Sequence, residues 1–269
     1  MEHQDPLSAG MSTTIITQPT SIIEKQSIQY PTHPFPPPFC ETISKLPLGL
    51  QELVLQGAVS IQITDLIHLV SIWISSLTIT IDAVDSELKR SEYVIDTFFR
   101  PRYILRQALS IFISFPESFA NRVATSIERC LCLSFMSSIH AERSPFRTTT
   151  TYIRLVSDFI DAVESLSGDI LHLNKAGTEC LVWLCFTSAG CAAQCLDSHV
   201  ARRGSGIMDW LVDEPRMVAL GIRVWERVEA LLKRFFWFQH LVEIWRSCWN
   251  AGIDRVTAKN NVSQASDLP

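Results

Sequence analysis

Cys180, Cys185, Cys191 and Cys195 stand close together in the chain, and Cys130 and Cys132 form a second pair. Such a set invites zinc or redox chemistry. A tetrahedral zinc site wants repeated close pairs of the C-x2-C kind, so that two thiolates share one turn. Here the gaps are four, five and three residues inside an apolar stretch. Free cysteine is among the most buried residue types, so this spacing reads as core packing. Cys191 and Cys195 share a helix face and leave a redox pair as the weaker alternative.

Asp158, Asp161 and Glu164 recur at i, i+3 and i+6, a spacing that suggests paired carboxylates. Three acids on one helix face read as a solvated surface. The seven histidines are scattered, and His240 lies among aromatic residues. H-E-x-x-H, G-x-G-x-x-G, the P-loop and the G-x-S-x-G elbow are absent. No catalytic, cofactor-binding or metal-ligating residue is assigned, no cofactor is expected, and the chain is expected not to be an enzyme.

The third set is "LLKRFFWFQHLVEIWRSCW", Leu231 to Trp249, where aromatic and basic residues alternate. A stacking platform for single-stranded nucleic acid needs its rings exposed together beside a basic groove. Val224, Val228, Leu231, Phe235, Phe238, Val242, Trp245 and Trp249 instead step by four and three, a single helical seam. The rings are expected inward, with one helix running through the segment.

The elements that must position these residues are helices. Gly is scarce, at 10 residues in 269, and 47% of the chain is hydrophobic. Long stretches without Gly or Pro favour helices over the turns of an all-β fold. Helices are expected from Leu50, over 60–84, over 85–99 with Arg100-Pro101 as its stop, over 102–115, over 117–140 and over 151–166. "TECLVWLCFTSAGCAAQCL" is apolar all round, as a central buried helix should be. "SHVARRGSGIMD" reads as an internal loop because of its two glycines. Residues 1–45 are rich in Ser, Thr, Gln and Pro, and the five prolines of "YPTHPFPPPF" predict an extended, disordered arm.

A net charge of −5 and a pI near 5.8 argue against a protein that coats nucleic acid. Arg100, Arg102 and Arg106, or Arg202 and Arg203, offer phosphate contacts, which give affinity without sequence choice. The acidic N-terminus lacks the pattern of a secretory signal, so the eight cysteines are expected reduced. The best membrane candidate, Leu66 to Ile81, is 16 residues between two aspartates. That is short of the roughly 20 a span needs.

Four stretches, in order, resemble the fungal-specific transcription factor regulatory domain. They are "KLPLGLQELVLQGAVS" (45–60), "ECLVWLCFTSAG" (179–190), "MDWLVDEPRMVALGI" (208–222) and "RVWERVEALLKRFFW" with "EIWRSCW" (223–249). The six-cysteine binuclear zinc cluster that normally precedes that domain has no counterpart here. The family's polar turn before the last Trp is also reduced to Phe238-Gln239-His240. The resemblance implies an all-α regulatory domain from a fungal source, without catalytic residues. It implies protein partners in transcription, such as a full-length zinc-cluster regulator, or a small-molecule effector. The expected location is the nucleus or cytoplasm. Sequence-specific DNA binding is not expected.

The expected organisation is therefore all-α: an arm over 1–45, a single helical domain over 46–252, and a disordered polar tail over 253–269. A membrane-associated helical protein and a truncated, non-functional gene product are the alternatives.

Overall fold

The computed structural model of the chain describes Lys25 and residues 27–77, 100–115, 123–142 and 149–266. Among these residues the structure is all-α, with eleven α-helices and no strands. They are α1 (Pro37–Ser44), α2 (Leu48–Leu55), α3 (Ile61–Leu77), α4 (Arg100–Ser114), α5 (Val123–Glu142) and α6 (Thr150–Gly168). After them come α7 (Lys175–Ala193), α8 (Ser198–Asp213), α9 (Pro215–Ala219), α10 (Trp225–Leu232) and α11 (Val242–Ser266). The helix expected over 85–99 lies outside the described residues.

Helix α7 is the axis of the fold. It packs against α2, α5, α6, α8, α10 and α11, and its apolar surface on every side matches that position. It is long and apolar enough to cross a membrane, yet 94% of its candidate span is buried inside the protein. Around it lies one continuous core reaching from Ile43 to Val256. The segment nominated from sequence as a membrane candidate falls largely in α3. There Leu66, Ile67, Val70 and Trp73 belong to the same core.

The expected loop at 198–209 is a helix. Asp197 caps α8 by accepting from the His199 and Val200 N–H groups at 2.8 and 3.0 Å. Gly204 costs helix propensity but faces Ala189 and Ala192 of α7. A Cβ there would lie 2.5 Å from the Ala192 Cβ. Close packing of two helix backbones offsets the glycine's entropy, and the composition rule for loops misses it.

Both expected flanks are also shorter than the sequence implied. From Ser27 onward the chain lies against the body: Ile61 N–H donates to the Gln29 carbonyl at 2.8 Å. The Gln62 side chain in turn accepts from Gln29 N–H and donates to the Ser27 carbonyl. The prolines of "FPPPF" start α1 rather than exclude it, because the first turn of a helix needs no N–H there. Pro101 is placed similarly, in the first turn of α4. At the other end α11 continues through the expected tail to Ser266. It buries Val256 and bonds Arg255 Nε to Asp209 at 2.7 Å.

The long helix expected over 224–249 is broken between α10 and α11. In a continuing helix the Arg234 and Phe236 carbonyls would accept from the residues four ahead. Here they are taken by tertiary donors: Gly49 N–H at 2.7 Å and Trp183 Nε1–H at 3.0 Å. The break turns Phe235, Phe236 and Phe238 all into the core, each 3% exposed, which one narrow seam does not do. The rings are inward as expected, while the single helix is not formed.

Candidate functional site

Thiol, charged and buried polar groups gather in four places, some of them at residues the sequence analysis singled out. The cysteines come first. Cys130 and Cys132 on α5, and Cys180, Cys185 and Cys191 on α7, are buried and free. Burial pushes the Cys130 thiol up to about 12 and that of Cys195 up to about 11. Cys132, Cys180 and Cys185 are raised by the same desolvation. Thiols so held stay protonated, and the thiolate is the nucleophile and metal ligand. Among the described residues no group of three His, Cys, Asp or Glu side chains is placed to hold a metal ion.

The second place is the junction of α2, α7 and the 233–238 connection. Arg234 sends one guanidinium nitrogen to Glu52 at 2.6 Å and another to Glu179. Lys175 stands 3.9 Å from the other Glu179 oxygen. Beneath this cluster Trp183 stacks on Phe235 with ring centroids 5.9 Å apart at 19°. Phe236 meets Phe135 edge-on at 5.5 Å. The Phe235 ring also lies over Gly49, where an added Cβ would sit 2.6 Å from it. Three segments far apart in sequence are thus locked by one guanidinium, one indole N–H and one backbone N–H.

No protein-family model, curated protein or solved structure matches the chain. What it does must be argued from its own geometry.

The third place is a cleft of about 510 Å³ between α4, α5 and α6. Its walls carry Phe112, Arg129, Leu133, Asp158, Asp161 and Ala162. The carboxylates read as a solvated face divide here. Asp161 and Glu164 each bond Arg203 of α8 at 2.6 Å, whereas Asp158 faces the cleft without an ion pair among the described residues. Arg203 is therefore engaged with carboxylates, and Arg202 beside it is exposed. Arg129 lies across the Phe112 ring, its Cζ 5.2 Å from the centroid. Sequence reasoning passed over Arg129. The available signal was the Glu128-Arg129 pair inside an otherwise apolar helical run.

Glu128 is the fourth place. Its carboxylate is fully buried and accepts from the Ser60 N–H and from the Tyr30 hydroxyl, both at 2.6 Å. Burial pushes this carboxyl above the ordinary range, and hydrogen bonds from the Ser60 side chain, the Tyr30 hydroxyl and the Ser60 N–H offset part of that rise. It joins the 27–30 segment and the start of α3 to α5. His240, also singled out, sets its Nδ1 2.6 Å from Glu142 at the end of α5.

Proposed function

We propose that the chain is a regulator-type helical domain that acts through protein–protein contact in transcription, in the nucleus, without a DNA-binding module of its own. The reading is carried by the Arg234 junction. Three of the four stretches that resemble the fungal transcription factor regulatory domain meet there: Gly49 and Glu52 from the first, Glu179 and Trp183 from the second, Arg234 to Phe236 from the last. The remaining stretch, 208–222, is tied to the last by the Trp249 Nε1–H bond to the Ile222 carbonyl at 2.7 Å. Resemblance scattered over a sequence by chance has no reason to converge on one packed junction.

The direct test fuses the full chain to a heterologous DNA-binding domain upstream of a reporter in a fungal host. A change in reporter output, together with recovery of transcription components from nuclear extract, is expected. An inert fusion and an extract that yields none would overturn the reading. A gel shift with random duplex pools should show no selection of a site by the chain alone.

A further inference from the structure

The cleft between α4, α5 and α6 presents two opposite charges that do not meet. Arg129 on α5 has no carboxylate partner among the described residues, and Asp158 on α6 has no basic one. Elsewhere the protein pairs its half-buried guanidinium groups closely: Arg203, Arg234 and Arg255 each reach a carboxylate at 2.6 or 2.7 Å. Arg129 is held over the Phe112 ring instead, which fixes its position without neutralising it. Asp158 is fixed by its helix, one turn before Asp161, whose charge is shared with Arg203.

The rest of the lining is mixed: Phe112, Leu133 and Ala162 are apolar, while Ser126, Ser165 and Asp161 are polar. The volume of about 510 Å³ suits a small organic molecule. A simple anion would satisfy Arg129 and meet repulsion from Asp158. A simple amine would do the reverse. A molecule carrying a carboxylate with an ammonium nearby satisfies both charges at once, and its body meets a wall of mixed polarity. We infer that this cleft binds a free α-amino acid, its carboxylate on Arg129 and its ammonium on Asp158. The inference stands on the cleft's own chemistry and holds whether or not the chain acts in transcription.

The test titrates the full chain with leucine and phenylalanine, followed by calorimetry or by ring and methyl NMR signals. Each is compared with its amide, which lacks the carboxylate, and with its N-acetyl form, which lacks the ammonium. The free amino acids should bind at least roughly tenfold tighter than either blocked form, as the loss of one charge-assisted bond implies. In Arg129→Gln the amide and the free acid should bind alike. In Asp158→Asn the N-acetyl form and the free acid should bind alike. Arg129→Lys, which keeps the charge, should retain part of the preference for a free carboxylate, and circular dichroism checks that each variant is folded. No saturable binding by either amino acid, or equal binding of free and blocked forms to the unmodified chain, would overturn the inference. So would an unchanged preference in both Arg129→Gln and Asp158→Asn.

Discussion

Two buried carboxylates, Glu179 and Glu128, hold distant parts of the chain together by opposite means. Glu179 is answered by a guanidinium: Arg234 bonds it and Glu52 together, and Lys175 lies on its solvent side. Glu128 is answered by neutral donors, the hydroxyl and N–H of Ser60 and the Tyr30 hydroxyl. The first arrangement fixes three helical segments around α7. The second ties a single extended segment, residues 27–30, to the outside of α3 and α5. A charged partner resists removal because it leaves an uncompensated buried charge behind. A neutral donor can be exchanged for water when its segment lifts away. The Arg234 junction should therefore behave as part of the fold, and the Tyr30 contact as a fastening that opens locally.

The largest expected effect comes from breaking the charged site. Arg234→Met leaves Glu179 buried against Glu52 without its partner and should cost about 3 kcal/mol or more in denaturant unfolding. A loss under about 1 kcal/mol, the range of an exposed pair, would erase the distinction between the two sites. Glu128→Ala comes next, at about 2 kcal/mol, since it strands the buried Ser60 N–H and frees Tyr30.

The Glu128 site also carries a pH dependence. Because burial raises the folded-state value for Glu128, its protonated form is the one the native state favours. The associated stability is complete below the ordinary carboxylate range, near pH ~4.3, and is lost as pH rises through the higher folded value. Unfolding free energies measured from pH 4 upward should show this decline in the native chain. Glu128→Gln should flatten it; an unchanged slope would assign the dependence to another group.

The smallest effect belongs to the fastening itself. Tyr30→Phe removes one hydrogen bond and should lower global stability by about 1 kcal/mol or less. Its clearer signature is local. Amide exchange at Ile61, whose N–H is bonded to the Gln29 carbonyl, should speed up while exchange within α7 does not. Equal acceleration in both places would show that the 27–30 segment opens only with the whole fold.

Much of the framework was readable from periodicity. The apolar stretch around Trp183 is the central helix, and Phe159, Val163 and Leu166 face the core from α6. What failed did so for tertiary reasons. The glycine of α8 marks a close approach to α7, and composition rules treat it as a turn. The prolines of "FPPPF" begin a helix, and only the position of the first turn decides that. The seam through Phe235 and Phe238 was correct about burial, yet the carbonyls that would have continued the helix bond Gly49 and Trp183 instead. Of the cleft, Asp158 and Asp161 were visible as spaced acids. Their opposite number, Arg129, was hidden because nothing local in the sequence brings α5 to face α6.

The Glu52–Arg234 ion pair joins residues 182 positions apart. During synthesis Glu52 leaves the ribosome long before its partner has been made. Until α7 emerges, α2 lacks the helix it chiefly packs against, while α5 can meet only α3, α4 and α6. The contacts of α7 with α2, α5 and α6 can therefore form only once residues 175–193 have been made, after α3 to α6 have begun to pack on one another. Its exposure to chaperones should depend less on final stability than on the time taken to translate the 182 positions from Glu52 to Arg234.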